Sequence, residues 1–181
     1  MSAELLKEIV VKVTASDGTH SISGSGVITK NRDGDYFIIT AEHCINGKTD
    51  ARLNNIVREN IIIQYKFNNG DPFKNIIVSE ILHCDEEQDI AVLSIASLNG
   101  QTDKIGYSKI NRVSDCKELN FRGFPKWLIE YEEADTYCCS IKEVDNETFL
   151  IKADDIKDDS LLKTISETSN GISGSGIFEI T

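Results

Sequence analysis

Six short runs of β-branched and other apolar residues fill the first half of the chain, with turn-forming residues among the stretches between them. They are EIVVKVTA (8–15), SGSGVITK (23–30), YFIITA (36–41), NIIIQYKF (60–67), NIIVSEILHC (75–84) and DIAVLSI (89–95). DGD stands just before the third run, and NNGDP (68–72) separates the fourth from the fifth. Short strands at this spacing, punctuated by turn chemistry, point to an all-β barrel or sandwich.

The second half repeats the theme more sparsely. CKELNFRGF (116–124), ADTYCCSIKEV (134–144), ETFLIKA (147–153) and GIFEIT (176–181) read as four more strands. WLIEYEEA (127–134) is ambiguous between loop and strand, and the acidic DDIKDDSLLKTISE (154–167) reads as surface loop. The polar, interrupted stretch around LNGQTDKIGYSKINRV reads as a connection between two halves. The expected organisation is an N-terminal barrel over 1–100, a linker over 101–115 and a C-terminal barrel over 116–181. A chain of 181 residues has room for two small packed barrels.

Composition narrows the partners. A net charge of −11 argues against nucleic acid and against anionic membrane surfaces. No apolar run approaches the length needed to span a bilayer. The start, MSAELLKEIVVKV, mixes acids among its apolar residues and carries no small-residue cleavage site. The five cysteines, Cys44, Cys84, Cys116, Cys138 and Cys139, form neither a disulfide framework nor a paired C-x-x-C zinc site. A reduced, cytoplasmic protein without metal or cofactor is the expectation.

Three segments carry chemistry together: FIITAEHC with His43, DEEQDIAVLSI with Asp89, and NGISGSG with Ser173. A serine hydroxyl is a poor nucleophile at neutral pH. It needs a base within hydrogen-bond reach, and that base needs a buried carboxylate to fix its tautomer and steady its cation. A tetrahedral oxyanion needs backbone N–H donors, which a glycine two residues before the serine lets the chain present. The expected parts are Asp89, His43 and Ser173, with an oxyanion hole from the N–H groups of Gly171 and Ser173. Asp85, Glu86 and Glu87 compete with Asp89, and Ser175 with Ser173. Asp89 is preferred because D-I-A-V-L sets it at a strand mouth, and Ser173 because Gly171 sits two before it. His20 and His83 read as surface residues.

These boxes resemble those of the trypsin-like serine protease superfamily. TAEHC is similar to its T-A-x-H-C box, DIAVLSI to the aspartate strand of its bacterial HtrA-like branch, and NGISGSG to its nucleophile box. GSGVI (24–28) and FRGFP (121–125) resemble further segments of that family. The order His, Asp, Ser is the family's, at separations of 46 and 84 residues. The resemblance implies two six-stranded antiparallel β-barrels of chymotrypsin type with the active site between them. It implies a serine endopeptidase that acts on protein or peptide substrates through an acyl-enzyme. It also implies that Glu167, six residues before Ser173, can form the floor of a substrate pocket, although an exposed loop glutamate is the preferred reading there.

Departures from the family pattern carry expectations too. Ile172 stands where secreted relatives carry Asp, so activation by pairing with a new N-terminus is not expected. Cys44 follows the histidine, but the segment 24–30 supplies no disulfide partner for it. The family's barrel needs further strands after GIFEIT. The second barrel is therefore expected to be completed by more C-terminal sequence, to which sensor domains can be joined, or by a second chain. Within the resemblance, acidic domains of this kind look like regulated effector domains of larger bacterial proteins, including defence systems. A catalytically idle binding or sensing module is the alternative.

Overall fold

The computed structural model of the chain describes residues 9–47, 52–53, 56–66, 72–96, 119–124, 135–144, 149–153 and 177–179. Its first part comprises β1 (Val10–Ser16), β2 (Ser21–Lys30), β3 (Tyr36–Thr40), a one-turn helix α1 (His43–Asn46), a 3-10 turn (Arg58–Asn60), β4 (Ile61–Tyr65), β5 (Lys74–Ile76), β6 (Val78–Asp85) and β7 (Ile90–Ile95). The second comprises β8 (Leu119–Gly123), β9 (Asp135–Val144), β10 (Phe149–Ala153) and β11 (Ile177–Glu179). Among the described residues all pairings are antiparallel, and the structure is all-β apart from short helical turns.

The first sheet has the order β5-β4-β1-β2-β3-β7-β6. Only Ile77 separates β5, at one edge, from β6, at the other. One bent strand thus serves both edges, and this continuity rolls the sheet into a barrel without leaving a long open edge. The N–H of Ala96 donates to the carbonyl of Ile77 at 3.0 Å, fixing the bend. The sequence reading has a single strand over 75–84; the structure divides it at Ile77, whose side chain turns out to solvent. β6 also carries two register shifts against β7, between Val78 and Glu80 and between Ile81 and His83. Such bulges tighten twist and help a short sheet to close.

Alternation explains the interior. Val11, Val13 and Ala15 on β1 are fully buried, with Ile38, Ile63 and Leu93 from neighbouring strands in the same cluster. Burying each of the larger aliphatic side chains contributes ~1.5–3 kcal/mol. That burial fixes register, because a slip of one residue would turn each set outward. Gly26 of β2 lies opposite Val11, and a Cβ there would come within 2.8 Å of an Ile38 methyl and 3.0 Å of a Val13 methyl. Glycine is what lets this crowded layer close.

The second sheet has the order β10-β9-β8-β11 among the described residues. Its four strands fall on the four runs read from the sequence. The expected linker, 101–115, the ambiguous WLIEYEEA and the acidic 154–167 lie outside the described residues. Where β8 ends, a small second core joins it to the first sheet: Ile9, Val10 and Phe124 are buried together, with Val27 and Phe73 packed against them. The Phe124 N–H donates to the hydroxyl of the buried Ser25 at 2.9 Å.

Candidate active site

β3 and β7 are neighbours, and their ladder ends at Thr40 opposite Ala91. The segment leaving β3 and the loop entering β7 therefore sit on the same rim of the barrel. The first carries His43 and the second Asp89, 46 residues apart in sequence.

His43 opens α1, a helix of one turn. A helix this short has little stability of its own, so packing holds it. Cys44 and Ile45 are buried, Ile45 within the barrel core, and the N–H of Gly47, at φ 82°, closes the turn on the carbonyl of His43. The run YFIITAEHC gives no helical period, and the sequence reading places His43 directly after a strand, without this turn.

Asp89 ends the four-residue hairpin loop 86–89 between β6 and β7, whose closing pair is Asp85 and Ile90. The Asp85 side chain accepts the Gln88 N–H at 2.9 Å and shapes the loop. Asp89 has φ +54°, the one non-glycine residue with positive φ among those described. Aspartate tolerates this left-handed conformation better than most residues, which helps explain its place at the turn.

The two residues meet closely. The Nδ1 of His43 lies 2.8 Å from Oδ2 and 2.9 Å from Oδ1 of Asp89, and the His43 backbone N–H donates to Oδ1 at 3.0 Å. A carboxylate can only accept here, so Nδ1 carries the proton, and in the neutral ring the lone pair is on Nε2. The expected carboxylate was a buried one. The Asp89 side chain is instead 48 % exposed, against 23 % for His43. Its placement rests on the loop and its hydrogen bonds more than on desolvation.

The residue before the histidine, Glu42, has a structural role that the sequence did not signal. Its side chain is only 5 % exposed, and its Oε1 accepts from Asn46 Nδ2 at 2.8 Å and from Arg52 Nη1 and Nη2 at 3.3 and 3.1 Å. Arg52 Nη2 also reaches Glu86 Oε2 at 2.8 Å, and Asn46 Nδ2 approaches Cys84 Sγ at 3.2 Å. Glu42 is legible only as an acid inside an apolar box, and nothing local marks Arg52, ten residues on, as its partner.

Cys44 and Cys84 are both free thiols. Burial pushes the Cys44 thiol up from 9.0 to about 11, with the negative charge of Asp89 adding to the effect and a hydrogen bond with Thr40 opposing it. Burial, then the charge of Glu42, also raises Cys84. Of the competing acids, Asp85 shapes the loop and Glu86 binds Arg52. His20 and His83 are exposed, their side chains lying near Asp17 and Asp85 respectively. Gly171, Ser173, Ser175 and Glu167 lie outside the described residues.

A family model described as a trypsin-like peptidase domain matches residues 24–181. No curated protein sequence matches the chain significantly. Among solved structures, the chain is similar to the active form of the Rv3671c protease of M. tuberculosis, at 14 % identity and a TM-score of 0.61, over 96 % of this chain and 66 % of that one. It is also similar to AL20, a thermostable serine protease from an extremophilic microorganism, at 14 % identity and a TM-score of 0.65, over 98 % of this chain and 81 % of that one. The inactivated protease paralogue S-I1 of the scabies mite shares the fold as well, at 16 % identity and a TM-score of 0.64, over 98 % and 81 % of the two chains. At these identities the likeness is one of fold.

Proposed function

The chain belongs to the trypsin-like peptidase domain family, a family of serine proteases, and on that premise we propose that it is a serine endopeptidase working through Ser173, His43 and Asp89. The observation that carries the reading is the Asp89 carboxylate held against Nδ1 of His43 at 2.8 Å. That contact leaves Nε2 as the base, which is the arrangement a serine nucleophile requires.

In this reading the hydroxyl of Ser173 attacks the scissile carbonyl and passes its proton to Nε2 of His43. Asp89 steadies the imidazolium through Nδ1–H without taking the proton itself. The N–H groups of Gly171 and Ser173 receive the oxyanion. His43 then gives the proton to the leaving amine, and an acyl-enzyme on Ser173 remains. Water enters, His43 again takes a proton, and the acid product leaves as Ser173 is restored.

A reducing, cytoplasmic setting, in which Cys44 and Cys84 stay as thiols, is part of the proposal. A regulated domain within a larger protein, with defence proteins among those the family association suggests, extends the same reading. The alternative, a binding or sensing module whose triad is intact but idle, would keep the same His43–Asp89 contact, so reactivity of the serine separates the two readings. A fluorophosphonate probe tests the proposal. Labelling is expected at Ser173, lost in Ser173→Ala and strongly reduced in His43→Ala. A folded, full-length preparation that takes no label sinks it.

A further inference from the structure

We propose that Arg52 is a positioning residue for the His43–Asp89 pair, acting through Glu42 on one side and Glu86 on the other. The inference rests on the catalytic reading of that pair. The ladder between β3 and β7 stops at Thr40 and Ala91, so beyond it the segment 41–47 and the loop 86–89 have no sheet pairing to hold them together. Asp89 is half-exposed, and its carboxylate is open to competition from water.

Arg52 supplies a tie close to the pair. Its Nη2 lies 3.1 Å from Oε1 of Glu42, the residue before His43, and 2.8 Å from Oε2 of Glu86, three residues before Asp89. One planar cation thereby bridges the two segments that bear the pair. The backbone beside Arg52 is anchored as well: the neighbouring Leu53 is packed into the barrel core, and its N–H donates to the Asn46 carbonyl at 2.8 Å. Besides the contacts of His43 with Asp89 itself, Asn46 Nδ2 also reaches from the segment bearing His43 to Cys84 Sγ in the hairpin, on a weak sulfur acceptor.

The two arms differ in cost. Glu42 is nearly buried, so removing its cation leaves an uncompensated carboxylate and threatens the fold. Glu86 is 61 % exposed, and cutting that arm alone should barely touch stability. Lysine at 52 keeps a charge for Glu42, but an ammonium does not reproduce the planar fork that spans two carboxylates.

The test uses Glu86→Ala, Arg52→Lys and the double variant in the full chain, with Glu59→Ala as a control that removes an exposed acid paired elsewhere, with Arg58. Loosening the pair should lower kcat roughly ten-fold in each single variant with KM changed less than about two-fold, and the double should be no worse than the poorer single. The downfield Nδ1 proton of His43 in NMR spectra should broaden by exchange with water in both single variants and stay sharp in Glu59→Ala. Folded Glu86→Ala protein with a sharp Nδ1 proton overturns the proposal, as does a double variant whose losses multiply. The proton resonance decides on the bridge whether or not the chain cleaves peptides, whereas absent fluorophosphonate labelling counts against the catalytic reading alone.

Discussion

At the scale of single residues, polar placement depends on contacts far apart in sequence. His43 and Asp89 were legible because their boxes set them at strand ends, and the structure brings them within hydrogen-bond distance. The left-handed conformation of Asp89 was not legible, since D-E-E-Q-D contains no glycine to announce a positive φ. Nor was the burial of Glu42, which depends on an arginine from a separate segment. Cys44 gives a prediction at this scale. Its thiol titrates near 11 when folded, against 9.0 as its ordinary value. The folded state therefore keeps its proton where the unfolded chain has lost it, so this contribution is intact below pH 9 and declines as pH rises from 9 towards 11. The loss amounts to at most ~3 kcal/mol. Urea midpoints followed across that range should fall more steeply for the native sequence than for Cys44→Ala, and parallel curves would show that the thiol does not matter.

At the scale of elements, the strands were the most legible part of the fold. Runs such as YFIIT and IAVLSI are too short and too β-branched to suit a helix, and their alternation matches the faces they bury. What escaped were the interruptions. NIIVSEILHC is apolar through Ile77, yet the chain bends there, because closing the barrel requires one strand to serve two edges. That requirement belongs to the sheet and leaves no mark in the run itself. The glycines of GSG are the converse case, visible in sequence but without a stated reason until the register is known. Gly26 packs against methyls of Ile38, Val13 and Val11 from the two flanking strands. Gly26→Ala should overpack this layer and destabilise the barrel by ~1–3 kcal/mol. The expected signature is a lower urea midpoint with an unchanged m-value, and a midpoint equal to that of the native sequence would mean that the layer can spread to admit a methyl.

At the scale of the whole molecule, the question is what joins the first barrel to β8, which begins the second sheet. Among the described residues, the apolar part of the join is Ile9, Val10 and Phe124, with Val27 and Phe73 beside them. Its polar part includes a hydrogen bond from the Phe124 N–H to the Ser25 hydroxyl, across 99 residues of sequence. No local pattern could have disclosed that contact, and GSG read alone suggests only a strand with room beside it. Ser25 is fully buried, and its carbonyl also accepts the Thr40 hydroxyl at 2.7 Å. The side chain of this one residue thus faces β8 while its backbone holds the end of β3, from which the His43 segment departs. Ser25→Ala keeps the backbone contact and removes the hydroxyl, leaving a buried N–H without that acceptor, at a cost of ~1–3 kcal/mol. If the join opens as a unit separate from the barrel, that cost appears locally. The Phe124 amide should then exchange with solvent roughly ten- to a hundred-fold faster in the variant. The amides of Ile38 and Leu93, paired inside the first sheet, should keep their native rates. Equal acceleration at all three positions would mean instead that the join and the barrel unfold together, and that Ser25 stabilises the molecule as a whole. An unchanged rate at Phe124 would remove Ser25 from the join altogether.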